Sequence, residues 1–81
     1  MSEEKGWRLV SRCGVAPVVE NWEFKSKRKR YILTYSYYYD AQNKIHQFGS
    51  IVLDTKNEQY YFPTKEELNK FLTKRKIPPF L

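Results

Sequence analysis

The residues of this sequence whose chemistry stands out are cations that lead directly into aromatic rings. Five of the six residues from 25 to 30 are lysine or arginine, and residues 31–39 contain five tyrosines. Cations neutralise phosphates and aromatic rings stack on nucleobases, so this combination is typical of a surface that binds nucleic acid. A second basic cluster lies near the carboxyl end. The basic candidates for ligand contact are Lys25, Lys27, Arg28, Lys29, Arg30, Lys74, Arg75 and Lys76.

The overall charge favours an anionic partner. The 81 residues carry a formal net charge of +6, and neither basic cluster contains an acidic residue. Each cluster also has a purely structural explanation, because lysines at a hairpin tip discourage edge-to-edge aggregation and cations near a helix C-terminus offset its negative pole. Five cations within residues 25–30 exceed the first requirement, so we expect this segment to contact a ligand.

Catalytic and metal-binding arrangements are missing from the sequence. His46 is the only histidine, Cys13 is the only cysteine, and the three glycines are separated, so no nucleophile–base pair, metal-ligand cluster or phosphate-binding loop is evident. We predict that the protein is not an enzyme and uses no metal or other cofactor. A single cysteine favours an intracellular, cytoplasmic setting, with the nucleus or nucleoid as alternatives. No apolar segment approaches the ~20 residues of a membrane span, and we expect no membrane partner.

Alternating apolar and polar residues predict the sheet that would position these side chains. Residues 26–30 form the tip of a hairpin, and Gly49 marks a bulge in a later strand. Thr64 and Glu67 form a capping box for a helix over residues 65–76. The apolar face of that helix consists of Leu68, Phe71 and Leu72. Strand patterns occur around residues 7–12 and in residues 18–25, 31–39, 45–54 and 59–62.

The predicted fold class is α+β. We expect an antiparallel sheet of four to five strands in meander order, or a small half-barrel made from the same strands, with one C-terminal helix packed on one face. The chain is predicted to form one domain, with residues 1–6 as a flexible N-terminus. Residues 77–81 form a C-terminal tail that docks either on the protein itself or on a partner.

The turn at residues 40–44 sets the expected register of the sheet. It places Tyr39 opposite Ile45, and the same register continues to Leu33 opposite Ile51. The other predicted pairs are Tyr37–Gln47, Tyr35–Gly49 and Tyr31–Leu53. One face is then the more apolar and packs against the helix. Its members on the central strand are Tyr31, Leu33, Tyr35, Tyr37 and Tyr39.

The opposite face is the candidate binding platform. It is formed by Tyr38, His46 and Phe48, with Arg28 and Arg30 on the same side. In the alternative, the N-terminal strands cover this face through Trp7 and Trp22, and the sheet closes into a small barrel. A bulge within the return strand would exchange the two faces beyond it.

These features predict a small nucleic-acid-binding protein that favours single strands and has little sequence specificity. The alternative is a protein-interaction module or inhibitor that binds an acidic surface of a partner such as a nucleic-acid enzyme, with strand addition at a sheet edge as one route. The tyrosine-rich sheet also makes a homodimer a further expectation.

Overall fold

The computed structural model describes residues 6–27 and 29–80, which form a six-stranded antiparallel sheet and one helix. In chain order, the elements are β1 (Arg8–Cys13), β2 (Val18–Ser26), β3 (Lys29–Tyr39), β4 (Ile45–Gln47), β5 (Ile51–Asp54), β6 (Gln59–Phe62) and α1 (Lys65–Lys74). The central strand β3 pairs with β2 along one side and with both β4 and β5 along the other. Strands β1 and β6 lie at the two ends of the strand order, and β4 pairs with β3 alone. The predicted α+β class, with a meander sheet and a C-terminal helix, is confirmed. Arg28, residues 1–5 of the predicted flexible N-terminus and Leu81 of the predicted tail lie outside the described residues.

Regular alternation of large apolar and polar side chains makes β2 and β3 a long hairpin. Pairing continues without a break to Ser26 opposite Lys29. The turn is therefore shorter than the predicted tip at residues 26–30, because Lys29 and Arg30 already belong to β3. Lys27 lies in the turn with a φ of 49°, in the left-handed region that non-glycine residues adopt at a cost.

The predicted return strand at residues 45–54 is divided into β4 and β5. Residues 48–50 leave the ladder, although the Phe48 N–H still donates to the Ser36 carbonyl at 2.9 Å. Gly49 has a φ of 76°, which glycine adopts without the steric cost of a side chain. The predicted bulge is therefore present, and it separates one strand into two.

The register agrees with the prediction before this bulge and differs after it. Tyr39 lies opposite Ile45 as expected. Beyond the bulge, Leu33 lies opposite Leu53 rather than Ile51. The displacement is an even number of residues, so side chains keep their faces and the predicted exchange of faces does not occur. The predicted pairs Tyr35–Gly49, Leu33–Ile51 and Tyr31–Leu53 are wrong.

The hydrophobic core lies between one face of the sheet and α1. Leu33, Ile51 and Leu53 project from the sheet and Leu68 and Leu72 project from the helix, and all are fully buried. Removing each such side chain from water contributes about 1.5–3 kcal/mol. Aliphatic residues from β3, β5 and α1 thus join the three elements.

The β3 residues predicted to face the helix lie on that side of the sheet. Leu33, Tyr35 and Tyr37 are buried, and Tyr31 is half-buried. Tyr39, at the end of the strand, is 52% exposed. The core is therefore built on the middle of β3, and the strand end extends beyond it.

The helix begins and ends with hydrogen-bonded caps. Thr64 Oγ1 accepts from the Glu67 N–H at 3.2 Å, as the predicted capping box requires. At the other end, Lys76 has a φ of 60° and the Ile77 N–H donates back to the Leu72 carbonyl at 2.9 Å. This Schellman-type arrangement ends α1 two residues earlier than predicted and before the two prolines.

The C-terminal tail docks on the protein itself. Phe80 is 3% exposed, and its ring packs edge-on against Trp7, Trp22 and Tyr35 at centroid distances of 6.2, 5.4 and 5.9 Å. Asn69 holds the backbone of the same residue: its Oδ1 accepts from the Phe80 N–H at 2.7 Å and its Nδ2 donates to the Phe80 carbonyl at 3.0 Å. Within the described residues, the tail is part of the core.

The second face of the sheet is left uncovered by the described elements. Trp7 and Trp22, which the barrel alternative placed over that face, pack beside Phe80 on the helix side. The outer strand β1 extends the sheet sideways by pairing with β2. The barrel alternative is therefore wrong, and the side of the sheet opposite α1 is the open face.

Candidate nucleic-acid interface

The open face presents every second residue of the central strands. Glu23, Lys25, Arg30 and Tyr38 project on this side, and His46 lies opposite Tyr38. The structure thus places Arg30 and Tyr38 on one face, as their alternation predicted. They lie near opposite ends of β3, about 26 Å apart along an extended strand.

An ion triad formed by Arg8, Glu23 and Arg30 crosses the first three strands of this face. Arg8 Nη2 donates to Glu23 Oε1 at 2.6 Å, and Arg30 Nε donates to Glu23 Oε2 at 2.5 Å. The glutamate side chain is only 5% exposed, whereas the two arginine side chains are 62% and 65% exposed. The carboxylate therefore lies beneath two guanidinium groups that face solvent.

The surrounding cations stabilise the ionised form of Glu23. The hydrogen bond from Arg30 has the largest effect and lowers the pKa of Glu23, while burial opposes this shift and is outweighed. Lys25 and Arg8 lower the same pKa further. The carboxylate is charged at neutral pH, so the triad has a net charge of +1.

An aromatic cluster of Tyr38, His46 and Phe48 lies at the other end of the open face. The Tyr38 and His46 rings are stacked, with centroids 5.3 Å apart and planes inclined by 22°. Phe48 meets Tyr38 edge-on at 6.4 Å and is 53% exposed. The three predicted platform residues are thus brought together, with ring surface available to a flat ligand.

Asp40 fixes the turn that carries the aromatic cluster. Its Oδ1 accepts from the backbone N–H groups of Gln42 and Lys44 at 2.8 and 3.0 Å, and its Oδ2 lies 2.7 Å from His46 Nε2. These contacts, led by the Lys44 N–H, lower the pKa of Asp40. The carboxylate therefore holds the His46 ring beside Tyr38.

The two basic clusters of the sequence meet at the opposite end of the sheet. A groove of about 530 Å³ lies between the β2–β3 turn and the end of α1. Lys27 and Lys29 line it from the turn, and Arg75 and Lys76 line it from the helix end. This basic groove also contains aromatic and aliphatic side chains, namely Phe24, Tyr31 and Ile77.

Aromatic packing holds one cation of the basic groove in place. The Arg75 guanidinium lies over the Phe71 ring at 4.5 Å from its centroid and 5.6 Å from the Tyr60 centroid. Cation–π contacts of this kind contribute about 0.5–1 kcal/mol at exposed sites. Arg75 is therefore positioned before any ligand arrives.

A second groove, of about 750 Å³, adjoins the basic groove along the side of β3. Asp54, the last residue of β5, pairs with Ile32. Because β3 continues beyond this pair, its side is not covered there by β5, and the groove lies along it. Arg30 and Lys56 add cations to its lining, and its volume lies within the ~300–1,000 Å³ range of small-molecule sites. The two acidic residues of its lining already accept hydrogen bonds within the protein: Asp54 accepts from Gln59, and Glu58 accepts from the Tyr60 hydroxyl.

Three of the predicted cations that the structure describes do not line the basic groove. Lys74 lies along the outer surface of α1 with Lys70 and Glu67. Lys25 lies opposite Arg30 on the open face. The structure therefore divides the predicted basic residues among three surfaces, namely the basic groove, the open face and the outer side of α1. Arg28 is outside the described residues.

Arg8 belongs to the candidate interface, although the sequence did not indicate it. The alternation of β2 places Glu23 on the face opposite to that of Trp22, and a carboxylate buried on that face requires a cationic or hydrogen-bonding partner. However, β1 contains a bulge at Val10, between the pairs formed by Leu9 and Ser11. Because the bulge shifts the alternation of β1, strict alternation along the strand does not predict that Arg8 lies opposite Glu23.

A second buried carboxylate lies on the helix side of the same strands. Glu20 is 5% exposed and accepts hydrogen bonds from Arg12, Trp22 and the Tyr37 hydroxyl at 2.9, 3.0 and 2.7 Å. Burial raises the pKa of Glu20, but these three bonds together outweigh burial and leave it below its ordinary value. Glu20 is thus a fully bonded structural carboxylate.

Comparison with protein-family models, with curated proteins and with solved structures finds no match to this chain. Among the described residues, no helix has the length and apolar character needed to cross a membrane. The same part of the chain brings together no group of three or more histidine, cysteine, aspartate or glutamate residues that could hold a metal ion.

Proposed function

We propose that this protein binds single-stranded nucleic acid, with little sequence preference, across its open face and basic groove. The observation that carries this proposal is the uncovered sheet face, with the Arg8–Glu23–Arg30 triad at one end and the aromatic cluster at the other. Cations neutralise phosphates and exposed rings stack on bases, and neither interaction identifies the base.

Single strands suit this surface better than a duplex. The bases of a duplex are stacked on one another, so only unpaired bases can lie against Phe48 or Tyr38. A helix that enters the major groove must project from the fold, whereas α1 packs on the side of the sheet opposite the open face. An open sheet face with exposed aromatic rings is instead suited to stacking with unpaired bases.

The positions of the rings and the cations define a path for the ligand along β3 and round its edge. A strand whose bases stack on the aromatic cluster would follow β3 for about 26 Å before its phosphates reach Arg30. The basic groove lies on the helix side of the sheet, because Lys29 alternates with Arg30 along β3. To reach Lys29 and Lys27, the strand would pass round the edge of β3 at the second groove, whose lining includes both Arg30 and Lys29. The two surfaces would thus contact successive parts of one ligand.

Titration with fluorescent single-stranded and duplex oligonucleotides tests this proposal. We expect micromolar or tighter binding of single strands at about 50 mM salt, weaker binding of the duplex, and a steady loss of affinity as salt is raised. Failure to bind single strands at micromolar protein in that buffer would refute the function. Equal affinity for both ligands would refute the stacking role.

Phe48→Ala separates stacking from charge. Loss of one stacked base costs about 1–3 kcal/mol, so affinity should fall at least about fivefold while the salt dependence is kept. Tyr39→Ala is the matched control, because Tyr39 is 52% exposed but projects from the helix side. Similar losses in the two variants would show that the open face is not the stacking surface.

A second candidate function is binding to an acidic surface of another protein through β1. This outer strand has one free edge among the described residues, and Val10 on it is 52% exposed. An added strand could pair there, and Arg8 on this edge would favour an acidic partner. The bulge at Val10 disrupts the regular edge, which places this candidate second. A partner that co-purifies after nuclease treatment, together with no binding of oligonucleotides, would favour it.

A further inference from the structure

On the open face, the geometry points to a phosphate clamp: Arg8 and Arg30 together hold a backbone phosphate, and Glu23 is the positioning residue that fixes both guanidinium groups. This inference rests on the proposed function and names the part of the interface that contacts the nucleic-acid backbone. It also gives a reason for an acidic residue at the centre of a surface that binds anions.

The hydrogen-bond geometry leaves each arginine able to bind a second anion. Glu23 engages one nitrogen of each guanidinium, through bonds of 2.6 and 2.5 Å to its two oxygens. A guanidinium has five N–H donors in a planar fork, so most donors of Arg8 and Arg30 remain for a ligand. Phosphate accepts such forks in a bidentate manner.

Burial places the acid below the cations. Glu23 is 5% exposed, while the arginine side chains above it are more than half exposed. An approaching phosphate therefore meets two guanidinium groups before it meets the carboxylate. Because both cations bond to one carboxylate, they are held as neighbours despite their mutual repulsion.

This arrangement reduces the entropy lost on binding. A free arginine side chain loses considerable rotamer freedom when it is fixed by a ligand. In the triad, Glu23 fixes Arg8 and Arg30 before the ligand arrives, so a smaller part of this loss occurs on binding. The three residues of the triad lie on adjacent paired strands, so the sheet backbone fixes their relative positions.

The comparison with Glu20 distinguishes a clamp from a structural ion pair. Both glutamates lie on β2 and bond an arginine of β1. Glu20, however, takes its remaining bonds from the uncharged donors Trp22 and Tyr37, whereas Glu23 takes a second arginine. Only the group on the open face keeps a net positive charge.

Glu23→Gln tests the clamp, because two models predict effects of opposite sign. If only net charge matters, removing an acid should tighten binding of a single-stranded oligonucleotide and steepen its salt dependence. For the clamp, the glutamine keeps one oxygen and brings an N–H₂ group toward the other arginine, so one cation is released. We expect binding about threefold to tenfold weaker, with the slope of log K against log salt reduced by about 0.7.

Two charge-preserving variants test the clamp without changing Glu23. Arg8→Lys and Arg30→Lys keep the net charge but remove the planar fork, and each should weaken binding by a similar factor. Arg12→Lys is the matched control on the helix side and should bind as the wild type does. If a thermal scan shows that Glu23→Gln is not folded at the assay temperature, binding by the two lysine variants tests the clamp instead.

The outcomes separate the two proposals. If the wild type binds single strands but Glu23→Gln or both charge-preserving variants bind equally well or better, the clamp is refuted and the proposed function stands. If the wild type does not bind single strands, both are refuted. Weaker binding in Glu23→Gln, Arg8→Lys and Arg30→Lys, with Arg12→Lys unchanged, supports the clamp.

Discussion

Replacing Lys27 and Lys76 together by glycine should weaken nucleic-acid binding while making the fold more stable. Both lysines line the basic groove, and both have left-handed backbones, with φ of 49° and 60°. Loss of two cations removes two phosphate contacts. The same change relieves backbone strain, so binding and stability should move in opposite directions.

The size of each effect follows from the geometry. A left-handed backbone costs a non-glycine residue about 1–2 kcal/mol, and the greater freedom of glycine in the unfolded chain offsets about 0.5–1 kcal/mol of that gain. For Lys27 and Lys76 together, the net gain is about 1.5 kcal/mol, which would raise Tm by about 6–12 °C. Two lost contacts should lower the salt slope by about 1.4, so a fourfold rise in salt would reduce affinity about sevenfold less than in the wild type.

Fluorescence anisotropy with one single-stranded oligonucleotide at several salt concentrations, together with a thermal scan, measures both effects. Asn43→Gly is the matched control, since Asn43 also has a positive φ, of 63°, and carries no charge. Asparagine tolerates this backbone better than lysine does, so little change in either measurement is expected. An unchanged salt slope in the double variant would refute the role of the basic groove. A drop in Tm would refute the account of backbone strain.

Three further changes test the fold that positions the interface. The hydrogen bond to Glu20 raises the pKa of Tyr37 to about 12 from an ordinary value of 10, so stability that is complete below pH ~10 should be lost as the pH rises toward 12. Tyr37→Phe should flatten this decline, which is on the order of 1–2 kcal/mol after allowance for solvent screening, and urea unfolding curves that keep the same pH dependence would contradict the bond. Phe80→Ala should cost about 3–5 kcal/mol in urea unfolding, a large part of the stability of a chain this size, and a cost below about 1 kcal/mol would mean that the tail is not docked. Gly14→Ala should cost about 1–3 kcal/mol, because φ is 88° and the added Cβ would lie 2.5 Å from the Pro17 carbonyl oxygen; an unchanged Tm would count against this backbone geometry.

The faces of the sheet could be predicted because they depend on a local rule. Period two placed Leu33, Tyr35 and Tyr37 on the buried side and Tyr38 on the other, and the structure agrees. The register beyond Gly49 could not be obtained this way, since the length of a bulge is set by backbone hydrogen bonds rather than by side-chain pattern. The faces were nevertheless correct, because an even displacement restores the alternation.

The meeting of the two basic clusters could not be predicted from local pattern. It depends on where α1 ends and on the direction in which it crosses the sheet. The end is set by the left-handed Lys76 and by the Ile77 N–H bonded to the Leu72 carbonyl. The placement is a tertiary result, because Leu68 and Leu72 fix the helix on the core.

The two buried glutamates of β2 determine where the neighbouring arginines are held and which face of the sheet keeps a net positive charge. Both buried glutamates occur on β2, where alternation sends Glu20 to the helix side and Glu23 to the open face. Burial of an unpaired carboxylate would be costly, so each position requires cationic or hydrogen-bonding partners. On the helix side, one arginine and two neutral donors complete the bonding. On the open face, a second arginine completes the bonding of Glu23, and the remaining positive charge lies on the surface that we assign to the ligand.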